Sequence, residues 1–89
     1  MISFSEVWER IINNAGKVFY TKMGLKFTYA VQENGLLTNR TEYQLTRKDV
    51  MSAYRHVPLE GPGEIAGLVR GQSYIWAILH DKRIRKTDW

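Results

Sequence analysis

Cysteine is absent from the chain. That excludes disulfides, thiolate metal sites and cysteine nucleophiles together. Small secreted domains generally need such staples, so the absence predicts a cytoplasmic setting. The segment Met1-Ile2-Ser3-Phe4-Ser5-Glu6 has no basic lead and no long apolar run, so it does not read as a signal peptide. The longest apolar stretch, Tyr74 to Leu79, is far too short to span a bilayer, so no membrane association is expected. With 2 prolines and 7 glycines, the chain also lacks the composition of a disordered or low-complexity segment.

Histidine is scarce as well. His56 and His80 are the only two, and neither lies at a spacing that presents two ligands to one metal. The neighbours His80-Asp81 point in different directions on a helix. Glu60 and Glu64 flank a glycine-proline turn, but a nuclease-like centre needs more convergent carboxylates and a lysine. Gly61-Pro62-Gly63 lacks the length and the following lysine of a phosphate-binding loop. No catalytic residue, metal site or cofactor is expected, and the chain reads as a non-enzyme.

Acidic residues are outnumbered, 9 against 13 lysines and arginines, which leaves a net charge of +4 and a pI of about 9.6. The excess suggests an anionic partner. The 89 residues suit a single domain, 1–89, in which every large apolar side chain counts toward the core.

What is present reads as an α+β domain. Ser3 and Glu6 have capping-box spacing, Ile2 and Val7 are placed to staple, and Phe4, Val7, Trp8, Ile11, Ile12 and Ala15 recur at helical spacing before Gly16. A helix over about 4–14 follows. The period then changes to two. Lys17 to Thr21 is rich in β-formers, Met23-Gly24 supplies a turn, and Phe27, Tyr29 and Val31 alternate with polar or small neighbours as in a half-buried strand. Asn34-Gly35 predicts a type I′ hairpin, with a return strand from Leu36 and another segment at Tyr43-Gln44-Leu45. The simplest arrangement is a three-stranded antiparallel sheet.

Thr46 and Asp49 repeat the capping pattern more weakly, with Leu45 and Val50 as the staple, and predict a helix over about 47–56 that Pro58 stops. A Gly/Pro loop follows. Glu64 to Val69 reads as a short helix, and Tyr74 to His80 as a buried helix capped by Ser73, although its run of apolar residues also suits a strand. The first helix and the 47–56 helix are expected to cover one sheet face. The expected core is Trp8, Ile11, Ile12, Phe27, Tyr29, Val31, Leu45, Val50, Tyr54 and Ile78, with Trp76 at least half-buried.

Two segments suggest a binding role. Residues 64–80 resemble a helix-turn-helix, with Ile65, Ala66, Val69, Trp76 and Leu79 near the positions such a unit buries. Gly71 falls one residue late, and the second helix is very apolar for a groove reader. The plainer reading is a buried pair of helices. The short basic tail, 82–89, has four cations among Lys82-Arg83-Ile84-Arg85-Lys86, which suits phosphate binding and equally suits a solvated end.

Together these predict a nucleic-acid-binding module for duplex DNA. Arg70, Lys82, Arg83, Arg85, Lys86 and Arg40 would hold phosphates, and Gln72, Ser73 and Tyr74 would approach bases. Lys17, Lys22 and Lys26 on the first hairpin extend the surface if the fold brings them near. Tyr20, Tyr29 and Tyr43 could stack bases, although the phase of Tyr29 with Phe27 and Val31 reads more simply as core. The rival expectation is a protein–protein adaptor or homodimer that uses Tyr74, Trp76 and the terminal Trp89.

Overall fold

The computed structural model describes residues 1–89. Helix α1 spans Phe4–Asn13, and the Ser3 side chain accepts the Glu6 N–H at 3.3 Å. The capping box is half made, because the Glu6 carboxylate turns to Arg10 at 3.0 Å and leaves the Ser3 amide. Val7 and Ile11 are buried, with Phe4 and Trp8 half-buried beside them. Ile12, expected in the core, is 41 % exposed. One residue is a step of about 100° around a helix, and that step carries Ile12 off the covered arc. Beyond the helix Gly16 adopts φ +84°, and its N–H reaches the Tyr29 carbonyl.

Strands β1 (Phe19–Tyr20) and β2 (Lys26–Phe27) form a separate antiparallel ribbon, with Phe19 opposite Phe27 and Tyr20 opposite Lys26. Five residues, Thr21 to Leu25, connect the strands, and Gly24 takes the left-handed conformation in that turn. Strands β3 (Tyr29–Gln32), β4 (Gly35–Thr38) and β5 (Leu45–Thr46) form a three-stranded antiparallel sheet in that order. The run read as one strand from Phe27 to Val31 is therefore divided between two sheets at Thr28. Val31 lies on the edge strand and is 41 % exposed, against expectation.

The β3–β4 turn is also not type I′. Glu33 and Asn34 form it, and neither has positive φ. Gly35 is the first residue of β4, where a side chain would collide with the Leu45 carbonyl of β5. Its value is close approach between strands.

Helix α2 (Arg47–Tyr54) is capped by Thr46, which accepts the Asp49 N–H at 3.1 Å. It ends before the expected residue 56. A 3-10 turn, Pro62–Ile65, replaces the helix expected over 64–69. Helix α3 (Gln72–Leu79) starts from Gly71 at φ +82°, not from a Ser73 cap. A side chain at Gly71 would strike Leu45, so the left-handed glycine lets the chain enter α3 against the sheet.

Residues 82–89 are not a free tail. Helix α4 (Lys82–Arg85) is capped by Asp81, Ile84 is fully buried, and the Trp89 indole N–H donates to the Leu79 carbonyl at 2.9 Å. Helix α1 packs against α4 and meets the sheet where the Tyr29 hydroxyl donates to the Ile11 carbonyl. Helix α2 packs on β4, β5 and α3, and its Tyr54 ring meets Phe4 of α1 with centroids 5.9 Å apart. Trp8 stays half-buried, and seven of the expected core residues (Ile11, Phe27, Tyr29, Leu45, Val50, Tyr54 and Ile78) are buried, joined by Phe19, Ile75, Leu79 and Ile84. No helix is long and apolar enough to cross a membrane.

Candidate nucleic-acid interface

A helix that reads a groove must offer several polar side chains to solvent. Helix α3 has no exposed residue: Gln72, Ser73, Tyr74 and Trp76 are half-buried and the other four are buried. Gln72 and Ser73 lie half-buried at its start, and Tyr74 packs edge-on to Phe27 with ring centroids 5.1 Å apart. With only a 3-10 turn before it, the 64–80 segment lacks the geometry of a helix-turn-helix. The sequence feature that resembled one is the burial pattern of a central core helix.

The predicted phosphate-binding cations separate into two groups. Arg83 is engaged internally: it forks onto Asp81 at 2.8 and 2.9 Å, donates to the Val18 carbonyl at 2.7 Å and stacks 4.2 Å over the Phe19 ring. Its hydrogen bonds to the Asp81 carboxylate, working against partial burial, raise the guanidinium pKa. Burial pushes Asp81 up, but the hydrogen bonds from Arg83 outweigh it and hold the carboxyl below its usual range. Arg85 donates to the Trp89 carbonyl. Arg70 lies 3.8 Å over the Tyr43 ring while its backbone N–H donates to Asp49. Arg83 ties α4 to Val18 and Arg85 ties it to Trp89, whereas the Arg70 side chain is exposed and has no carboxylate partner. Lys82 and Lys86 remain exposed.

The second group surrounds the β1–β2 ribbon. Tyr20 and Lys26 face each other across its outer side, and Tyr20 is 59 % exposed. Arg40 leans in from the β4–β5 connection and donates through Nε to the Lys26 carbonyl at 3.0 Å. Lys17 precedes the ribbon and is exposed. Arg83 grips the Val18 carbonyl just before β1, and Lys82, the first residue of α4, precedes Arg83 and is exposed. Lys22 departs from the set: its ammonium donates to the Glu60 carbonyl at 2.8 Å and sits 6.0 Å from the Trp76 ring centre.

Three hydrogen bonds close the ribbon tip. The Thr21 N–H donates to the Leu25 carbonyl, the Leu25 N–H to the Thr21 hydroxyl, and the Gly24 N–H to the Thr21 carbonyl. At this fixed tip Met23 is 94 % and Leu25 40 % exposed. The sequence marked Met23 only as part of a Met23-Gly24 turn and gave no sign of Leu25. The signal available was the short connection between the two β-forming runs, which leaves a methionine at its tip little to fold against.

Of the three tyrosines considered for stacking, Tyr29 is buried, Tyr43 is half-buried beneath Arg70, and Tyr20 alone is open. The aromatics considered for a protein partner pack inward. The Trp76 indole N–H donates to the Leu59 carbonyl and its ring stacks on His80, while the Trp89 ring meets Tyr54 edge-on. Glu64 accepts the Glu60 N–H, His80 accepts the Leu59 N–H, and no group of three potential metal ligands assembles. The surface carries no pocket. Comparison with protein-family models, curated proteins and solved structures finds no match to this chain.

Proposed function

We propose that this chain is a non-enzymatic nucleic-acid-binding module whose contact surface is the outer side of the β1–β2 ribbon, with Lys17, Lys26 and Arg40, joined by Lys82 of α4. One observation carries the reading. Among the 13 lysines and arginines only Arg10 and Arg83 form ion pairs with side-chain carboxylates, and the four cations named are all exposed and unpaired. Cations on such a surface attract polyanions and release condensed counterions on binding. The adaptor reading through Tyr74, Trp76 and Trp89 has less support, because those rings are partly covered by intramolecular packing.

The test is an anisotropy titration of labelled oligonucleotides at low and near-physiological salt. Micromolar binding that weakens steeply with salt is expected. Lys17→Gln with Lys26→Gln should flatten the slope of log affinity against log salt by about 1.4–1.8, the share of two phosphate contacts. Both side chains are exposed and unpaired, so thermal stability should not change. Absence of binding at low salt rejects the reading.

A further inference from the structure

We propose, resting on the nucleic-acid reading above, that the ribbon takes single-stranded rather than duplex polynucleotide, with Tyr20 stacking on a base and Lys26 and Arg40 holding the flanking phosphates. In an intact duplex the base faces are covered by their neighbours, so an exposed ring has nothing to stack on; a single strand offers them freely. Duplex readers present a helix or a ribbon rich in polar groups to the groove. Here α3 has no exposed residue, while the ribbon presents an aromatic and two apolar side chains among cations.

Three features fit a single strand. Tyr20 lies directly opposite Lys26, so a base-stacking face and a phosphate-binding ammonium stand side by side on one surface. Arg40 reaches the carbonyl of the same lysine, which fixes a second cation next to that pair. Met23 and Leu25 are exposed apolar side chains at the ribbon tip, where three hydrogen bonds among Thr21, Gly24 and Leu25 hold the loop. Together they make a short platform with cations alongside it, a pattern tolerant of base sequence. DNA and RNA single strands share the chemistry it recognises.

The experiment titrates the full chain with oligo-dT and oligo-rU of roughly 16 nucleotides, a length at the upper end of known single-strand sites, and with a duplex of equal length. Phosphatidylserine vesicles serve as a further arm. One or both single strands should bind at least tenfold tighter than the duplex. Tyr20→Ala should weaken single-strand binding by about tenfold, the share of one stacked base, whereas Tyr20→Phe should retain it. Tyr20 is exposed, so unchanged melting of both variants verifies folding. Equal or tighter duplex binding, or indifference to Tyr20→Ala, overturns this inference and leaves the nucleic-acid reading standing. Loss of all oligonucleotide binding overturns both, and binding to the vesicles alone does the same.

Discussion

At the scale of single residues, the most constrained side chain is His80. Its Nε2 accepts the Leu59 N–H at 2.9 Å, so its Nδ1 carries the proton and donates to the Trp76 carbonyl at 3.0 Å. Both ring nitrogens are satisfied only in the neutral form. Burial lowers the pKa from its ordinary 6.5; the Trp76 carbonyl acts against this, and the nearby Arg85 adds to it. The unfolded chain thus takes up a proton at a higher pH than the folded chain. The stability His80 contributes is complete above the unfolded pKa and declines as pH falls through 6.5 toward the folded value. In denaturant titrations between pH 7.5 and 5, the wild type should lose more stability than His80→Gln, which has no group to titrate there. Parallel curves would contradict this arrangement. His80 was legible in the sequence only as a poor metal ligand, because its bonding partner lies in a distant loop.

At the scale of elements, the caps of α1 and α2 were legible, whereas the Asn34-Gly35 turn, the start of α3 and the cross-chain packing were not. The Ser3 and Thr46 caps are written within three residues of the amides they bind, and both helices begin where those signals lie. Ile12 and Val31 satisfied their periodicities, yet each is left 41 % exposed, and a pattern within one element does not report what covers it. Helix α4 is the clearest case. Its cations suggested a solvated tail, but Ile84 among them enters the core and Arg83 crosses to Val18. The two kinds of cation should separate by experiment. Arg83→Gln leaves Asp81 half-buried without its fork and frees the Val18 carbonyl, which should cost about 1–3 kcal/mol. It should leave oligonucleotide affinity of the folded fraction close to wild type. Lys82→Gln should leave stability within about 0.5 kcal/mol and weaken binding. The reverse pattern would reassign Arg83 to the contact surface.

At the scale of the whole molecule, the two chain ends are bound into one structure. Arg10 of α1 donates to the Ile84 carbonyl at 2.9 Å and pairs with Asp88 at 2.7 Å. The Tyr54 hydroxyl of α2 donates to the Ile2 carbonyl, and the Trp89 ring packs on Tyr54. Such long-range ties hold together a fold whose strands are only two to four residues long. In a domain of this size net stability is roughly 5–15 kcal/mol. Emptying the Ile84 site alone, as Ile84→Ala, should cost about 2–5 kcal/mol. Each kcal/mol lowers Tm by about 4–8 °C at this length, so a drop of at least about 8 °C is expected. Removing residues 82–89 also takes away Arg83, Asp88 and Trp89, and should abolish the single cooperative transition seen by circular dichroism. A truncated chain that melts cooperatively near the wild-type Tm would mean that α4 is an appendage after all. Arg83 and Arg85 would then be free to serve the phosphate-binding role that the sequence first suggested for them.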